Sequence, residues 1–142
     1  MIVVTATFME YDWALDMKNS FAEYFIGTDI VAVSRIQNII HKHSDRFKKH
    51  TFTENEKKYC DLKPNPAIHY AGRFAAKEAI KKALYSSKII NSIDFVDIEI
   101  LNSDSGVPEV QLLHHELNNF HVKISISHIE EYAIAFALVS SS

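Results

Sequence analysis

The stretch RFAAKEAIKKAL, from Arg73 to Leu84, is the feature that most constrains how this chain can fold. If it forms a helix, Arg73, Lys77 and Lys81 lie four residues apart in one column, and an acid, Glu78, lies beside them. Like charges at this spacing repel each other by ~0.2–0.5 kcal/mol per pair. A helix with this column therefore either turns it towards solvent or places it against an anionic ligand.

Length and composition exclude several classes of protein. The chain has 142 residues, of which 47% are hydrophobic, and this suits a single domain with a hydrophobic core. A net charge of −3 provides no overall basic field of the kind that binds nucleic acid. The lone cysteine, Cys60, excludes an internal disulfide, fits a reducing cytosol and is interpreted as a half-buried helix residue.

No segment of the sequence predicts export or membrane insertion. The apolar start MIVVTAT is short, lacks a basic beginning and is followed by acids, so it does not fit a signal peptide. No apolar run reaches the roughly 18 residues that a membrane span requires. These features predict a soluble, cytoplasmic protein that binds neither nucleic acid nor membrane.

Hydrophobic periodicity and turn residues predict the α+β class, with a largely antiparallel sheet packed on a long helix. Capping boxes at Ser34–Gln37 and Thr53–Glu56 predict two helix starts, and a proline pair precedes the long helix, predicted over 68–85. Apolar, β-branched or alternating segments predict strands at 25–33, 94–101, 110–113, 121–127 and 132–139.

Two acids occupy positions where an acid is costly. Strand alternation places Asp29 on one face with Phe25 and Gly27, and a buried carboxylate without a partner costs several kcal/mol. Glu78 shares its helix face with small and aromatic residues. Together the two acids fit a site for magnesium, which takes one or two carboxylates, several waters and substrate phosphates. The alternatives are a backbone-capping role for Asp29 and a salt bridge from Glu78 to Lys82.

The histidines do not form a zinc motif, because no Cys/His spacing of the required form occurs among the eight of them. His128 is the best placed for a site: it ends the strand VKISISH at a turn, and Lys123, Ser125 and Ser127 line one face of that strand. The alternative is a structural turn histidine. A glycine-rich phosphate loop is absent, since the chain has only three glycines.

Five segments of the chain resemble the holo-[acyl-carrier-protein] synthase family, the small bacterial 4'-phosphopantetheinyl transferases. They are IGTDIVAVSRI (26–36), FTENEKKYC (52–60), YAGRFAAKEAIKKAL (70–84), SGVPEV (105–110) and ISISHIEEYAIAFALV (124–139). They follow the family's order and cover nearly everything from Phe25 onward. The resemblance implies the single-domain fold of that family over residues 25–142, with residues 1–24 as an atypical N-terminal extension.

The resemblance also implies an activity. It is the transfer of phosphopantetheine from coenzyme A to a serine of apo acyl carrier protein, as in fatty acid biosynthesis, which leaves adenosine 3',5'-bisphosphate. An alternative from another class is a magnesium-dependent nucleotide-binding or phosphohydrolase domain without a carrier-protein acceptor. A third is a non-enzymatic subunit that only binds coenzyme A.

Individual residues receive roles from the same resemblance. A magnesium ion is implied on the aspartate of GTDI, Asp29, and on the glutamate of AAKEA, Glu78. Lys82, one turn after Glu78, is the catalytic candidate, because it projects near the same face to bind the pyrophosphate or to assist proton transfer. The candidates for contacts with the coenzyme A phosphates are Arg73, Lys77 and His128.

The family further implies a homotrimer with active sites between protomers, and the late strands, apolar on both faces, agree with such an assembly. Acyl carrier protein is acidic and is expected to dock on the helix after GTDIV. Three cations of that helix are the expected contacts: Arg35, which matches the family's arginine, Lys42 and Arg46. Ala32 replaces a glutamate that is common in the family, a departure expected to alter a minor contact.

Overall fold

A computed structural model of the chain describes residues 23–141, and the prediction for the N-terminal extension lies outside them except at its last two residues. One strand is followed by three helices and then by four strands, in the order β1, α1, α2, α3, β2, β3, β4, β5. Their bounds are β1 Glu23–Ala32, α1 Val33–Thr51, α2 Glu54–Asp61, α3 Pro66–Ser86, β2 Ile98–Asn102, β3 Pro108–Leu112, β4 Phe120–His128 and β5 Tyr132–Ser141.

The strands form two antiparallel sheets in a single domain. The larger has the order β1–β5–β4, and the smaller pairs β2 with β3. In the larger sheet Asp29 lies opposite Ala135, which lies opposite Ile126, so these residues share the face turned towards the core. The predicted α+β class with an antiparallel sheet on a long helix is confirmed.

Small residues form the contact between α3 and the larger sheet. Ala75, Ala79 and Ala83 of the helix are fully buried, as are the inward residues of β5, Ala133, Ala135 and Ala137. At Gly27 the backbones of β1 and α3 are too close for a side chain between them, because a Cβ atom at Gly27 would lie 1.9 Å from the Ala79 carbonyl oxygen. The helix backbone therefore fills the room that the glycine leaves.

The two predicted capping boxes have different outcomes. At the start of α2 the box is confirmed: Thr53 Oγ1 accepts from Glu56 N at 3.3 Å, and Glu56 Oε2 accepts from Thr53 N at 2.8 Å. The box at Ser34 is wrong, because β1 runs directly into α1 and Ser34 already lies in the first turn. The N-cap position is Ala32, and Val33 N donates to Glu131 O at 2.9 Å instead.

Two smaller predictions are refined by the structure. The predicted strand at 94–101 begins as a 3₁₀ turn, Phe95–Asp97, before β2 starts. Cys60, expected to be half-buried, is fully buried in α2, and burial raises the pKa of its thiol to about 11. None of the helices in residues 23–141 has the length and hydropathy of a membrane span.

Candidate active site

The Asp29 carboxylate faces α3 from the inner side of β1. It is 19% exposed and accepts a hydrogen bond from Lys82 Nζ at 2.8 Å, and the same ammonium donates to Thr28 O at 2.9 Å. Lys82 is itself 53% exposed, so the pair lies at the rim of the helix–sheet contact. A carboxylate in this position is held in place and remains accessible from solvent.

Glu78 lies one turn before Lys82 on the same face of α3 and is half-buried. The salt bridge from Glu78 to Lys82 does not form, because Lys82 turns to Asp29 instead. Within residues 23–141 the Glu78 carboxylate has neither a hydrogen-bond nor an ion-pair partner. Asp29 is thus bound by an ammonium, whereas Glu78, one turn before that lysine, is not bound by any described residue.

Lys77 has a structural role, and its predicted contact with a coenzyme A phosphate is corrected. Its side chain is 0% exposed, and its ammonium donates to Thr51 O at 2.8 Å, to Phe95 O at 2.8 Å and to Glu56 Oε2 at 2.6 Å. A lysine ammonium has three donors, and all of them are used here. No donor is left for a substrate, and no surface is exposed to one.

The partner of Lys77 is equally well satisfied. Glu56, also 0% exposed, accepts from Lys77 and from the amides of Thr53 and Ile100, the latter at 2.9 Å. Burial raises the pKa of Glu56 and lowers the pKa of Lys77, and in each case the opposite charge works against that shift. Because the geometry provides a partner for every polar atom, we interpret the pair as ionised.

The predicted cationic column is therefore divided among three environments. Lys77 enters the core, and Lys81 places its ammonium 4.0 Å from the centre of the Phe95 ring. Arg73 lines a separate cavity. The column does not face one common ligand, and the repulsion within it is relieved by this separation.

Arg73 is the buried cation of this cavity. It is 4% exposed, and its Nε donates to Ile100 O at 3.1 Å and its Nη2 to Asn102 Oδ1 at 2.9 Å. Its guanidinium lies 3.9 Å from the centre of the Tyr59 ring. Within the described part of the chain it makes no ion pair, so its protein partners are all neutral. A buried cation without a counter-ion favours the binding of an anion.

The cavity beside Arg73 has a volume of about 190 Å³ and lies between α2, α3, β4 and the β2–β3 turn. His128, predicted as a site residue, lines it from the end of β4, and a second imidazole, His69, lies 6.1 Å away between ring centres. The cavity is lined by Tyr59, Ile68, His69, Gly72, Arg73, Asn102, Gly106, Pro108, Ile126 and His128.

The three predicted contacts for the carrier protein all lie on α1. Arg35, Lys42 and Arg46 are exposed, and within residues 23–141 none of them forms an ion pair. The helix is kinked at His43, where φ is −139° and ψ is 37°. The kink separates Arg46 from Arg35 and Lys42, and all three are cations on a protein whose net charge is negative.

Two residues of the site were missed at the level of sequence. His69 precedes Arg73 by four residues on α3, a spacing that places both on one helix face, and this signal was available. Tyr59 has no comparable signal, because its contact with Arg73 depends on how α2 packs against α3. Glu56 was interpreted only as a capping residue.

Comparison with known proteins gives a consistent result. A family model described as the 4'-phosphopantetheinyl transferase superfamily matches residues 25–137. The holo-[acyl-carrier-protein] synthase of Protochlamydia amoebophila is 46% identical over 119 residues, which cover 82% of this chain and 97% of the relative. That of Chlorobaculum parvum is 45% identical over 114 residues, which cover 80% and 96%.

Solved structures agree with the sequence matches. The crystal structure of a holo-(acyl-carrier-protein) synthase from Bacillus anthracis in complex with CoA (3',5'-ADP) has a TM-score of 0.70 at 35% identity, over 83% of this chain and 96% of that one. The structure of holo-[acyl-carrier-protein] synthase from Helicobacter pylori in complex with coenzyme A has a TM-score of 0.71 at 32% identity, over 81% and 99%.

The buried pair predicts a strong effect on stability. Glu56→Gln keeps the shape of the side chain but leaves the Lys77 ammonium buried without a counter-charge. We expect a loss of about 3–5 kcal/mol in the free energy of unfolding, measured by urea denaturation. Glu54→Gln is the matched control, because Glu54 lies on the same helix, is exposed and pairs only with Lys57. Equal urea midpoints for the two variants would contradict the assignment.

Proposed function

This chain belongs to the 4'-phosphopantetheinyl transferase superfamily, and we propose that its activity is that of a holo-[acyl-carrier-protein] synthase. It transfers the 4'-phosphopantetheine group from coenzyme A to a serine of apo acyl carrier protein and leaves adenosine 3',5'-bisphosphate. The observation that carries this conclusion is the cavity in which the buried Arg73 cation has only neutral partners among the described residues. A phosphate-rich substrate supplies the missing negative charge.

Coenzyme A binds, in this proposal, with its phosphates against Arg73 and His128. Support comes from their positions on one cavity wall and from the relatives that were crystallised with coenzyme A. The Asn102 amide group donates to Gly106 O at 2.7 Å, which orients its oxygen towards Arg73. Arg73 is thereby held in place before a ligand arrives, and this lowers the cost of binding.

We assign Asp29 and Glu78 as the residues that would hold a magnesium ion. The donor set fits this ion, because both ligands are carboxylates, Glu78 has no partner among residues 23–141 and Asp29 already binds a cationic group. No cluster of three metal-ligating side chains occurs in the described residues, so waters and substrate phosphates would complete the coordination. Such an ion supplies Lewis-acid stabilisation of charge on the phosphate oxygens.

The chain's own residues contribute positioning and charge. The carrier serine hydroxyl loses its proton to a base as its oxygen forms a bond to the phosphorus that bears the pantetheine arm. The bond from that phosphorus to the oxygen of the nucleotide phosphate breaks, and its electron pair leaves with adenosine 3',5'-bisphosphate. Lys82 is the proposed catalytic residue, since its ammonium lies 2.8 Å from Asp29 Oδ1 and is half exposed to solvent. It binds the pyrophosphate oxygens and stabilises the negative charge on the departing phosphate.

The carrier protein is proposed to dock on α1 through Arg35, Lys42 and Arg46. Their support is exposure on one helix and the lack of a counter-ion within the described residues. Opposite charges on the two partners accelerate encounter and orient the carrier relative to the site. The helix starts directly after β1, the strand that carries Asp29. A carrier that docks at the start of the helix would therefore lie near the end of this strand.

A homotrimer with active sites between protomers is proposed as the working assembly. The outer face of the β1–β5–β4 sheet supports it, because large apolar side chains on that face remain exposed, among them Ile30 at 62% and Phe136 at 45%. A contiguous apolar face of this kind marks an interaction surface. Copies of the same chain cover it in this proposal.

The remaining assignments follow from the proposed chemistry. We place the reaction in the cytoplasm, in fatty acid biosynthesis, and the buried free thiol of Cys60 is compatible with a reducing compartment. Residues 1–24 are proposed as an extension to the transferase domain at 25–142. The alternative of a phosphohydrolase without a carrier acceptor has no support among the relatives.

The metal assignment predicts that Asp29→Asn and Glu78→Gln each reduce transfer more than about 100-fold, because the amide lacks the charge that the ion requires. Mass spectrometry of the carrier protein measures conversion from the apo to the holo form at several magnesium concentrations. Circular dichroism should show a folded protein in both cases. Glu109→Gln, an exposed acid on β3, serves as the control. Near-normal magnesium-dependent transfer by a site variant would remove the assignment.

The docking surface predicts a salt-dependent effect of Arg35→Glu. We expect the KM for apo carrier protein to rise about threefold to tenfold at low salt and less near physiological salt, where charges on the surface are screened. The KM for coenzyme A should stay unchanged. Lys58→Glu makes the same charge change on α2 and is the control. An unchanged carrier KM at low salt would place the docking surface elsewhere.

The assembly predicts that Ile134→Asp, on the exposed face of β5, converts the trimer to monomers. Burial of a carboxylate in an apolar interface is costly, so the mass measured by light scattering should fall to that of one chain. Leu62→Asp is the matched control, because Leu62 is also exposed but lies outside the sheet. A wild-type protein that is a stable, active monomer at micromolar concentration would refute the assembly.

A further inference from the structure

His69 occupies an unusual electrostatic position in the cavity. Its ring, half-buried on α3, meets the Tyr59 ring of α2 at 6.0 Å and the His128 ring of β4 at 6.1 Å between centres. The charged and titratable groups that act on it are Arg73 on α3, Lys63 after α2 and His128. None of these groups is a carboxylate. The uncharged lining residues are Ile68, Gly72, Asn102, Gly106, Pro108 and Ile126.

These surroundings disfavour a charged imidazole in the free protein. Burial contributes most to lowering the pKa of His69, and electrostatic interactions with Arg73, Lys63 and His128 lower it further. His69 is therefore neutral near pH 7 before any ligand binds. An anion in the cavity reverses this balance, because a negative charge nearby favours the protonated ring.

We propose that His69 is a ligand-binding residue that takes up a proton when the phosphates of coenzyme A enter the cavity, and thereby adds a ligand-induced cation beside Arg73. This inference rests on the proposed function, because it takes the cavity as the coenzyme A site. His69 lies one helical turn before Arg73 on the same face of α3, and both side chains line the same cavity.

The direction of the pH dependence follows from this coupling. A group whose pKa rises when a ligand binds increases the affinity for that ligand, and this increase is complete below the pKa of the free protein. The increase is lost as the pH rises through the pKa of the complex. For His69 the free value lies below its usual 6.5, so the gain is largest in mildly acidic solution and is lost above neutrality. A rise of one pKa unit corresponds to about a tenfold gain in affinity at the acidic end.

Isothermal titration calorimetry with adenosine 3',5'-bisphosphate tests the proposal on the full chain. Titrations in buffers with different ionisation enthalpies give the number of protons taken up on binding. The ligand's own phosphate also titrates, at about pH 6, whichever variant binds it. The decisive quantity is therefore the difference in proton uptake between the wild type and each variant. We expect His69→Gln to take up fewer protons than the wild type and to lose up to about tenfold in relative affinity in mildly acidic solution but little at about pH 8.

Two further variants keep the test decisive. His69→Arg carries a permanent cation, so it should bind well at both pH values and, like His69→Gln, take up fewer protons than wild type. His115→Gln, an exposed histidine outside the cavity, should behave as wild type. If His69→Gln retains wild-type proton uptake and pH dependence, the inference about His69 is overturned. If Arg73→Met leaves ligand affinity unchanged, the cavity is not the coenzyme A site and the proposed function is at fault.

Discussion

The buried ion pair between Lys77 and Glu56 is the interaction on which the rest of the structure depends. Lys77 belongs to α3 and binds the last residue of α1 and the turn before β2, while Glu56 belongs to α2 and binds the amide of Ile100 in β2. The ion pair therefore joins five structural elements: α1, α2, α3, β2 and the turn before β2. Because an unpaired charge in this place is costly, the arrangement of these elements has little freedom. Arg73 lies four residues before Lys77 on the same helix, and Glu78 lies one residue after it. The bonds that fix Lys77 therefore also fix the positions of these two residues.

Helix α3 distributes the functional groups because its period separates neighbouring residues around the helix axis. Arg73 turns to the cavity that also holds His69 and His128, whereas Glu78 and Lys82 turn to the rim beside Asp29. The proposed nucleotide site and the proposed metal site thus lie on different sides of one rigid element.

Local patterns in the sequence predicted the strands, the long helix, the inward direction of Asp29 and the capping box at Thr53, because each depends on residues within a few positions of one another. The burial of Lys77 was not predictable in this way. Its partner, Glu56, already has a complete local role as a capping residue, so nothing in the sequence indicates a second bond to a distant helix. The imidazole pair in the cavity likewise depends on the packing of β4 against α3.

The alanine and glycine contact between α3 and the sheet has a consequence in conformational entropy. Alanine and glycine have no rotamers to lose on burial, so this contact forms without a side-chain entropy cost. It also has no alternative rotamers through which it could rearrange, and Ala79 of the helix backbone lies directly against Gly27 of the strand. The separation between the elements that carry Asp29 and Glu78 is therefore set by two backbones in contact, and thermal fluctuation of side chains in the core does not alter it.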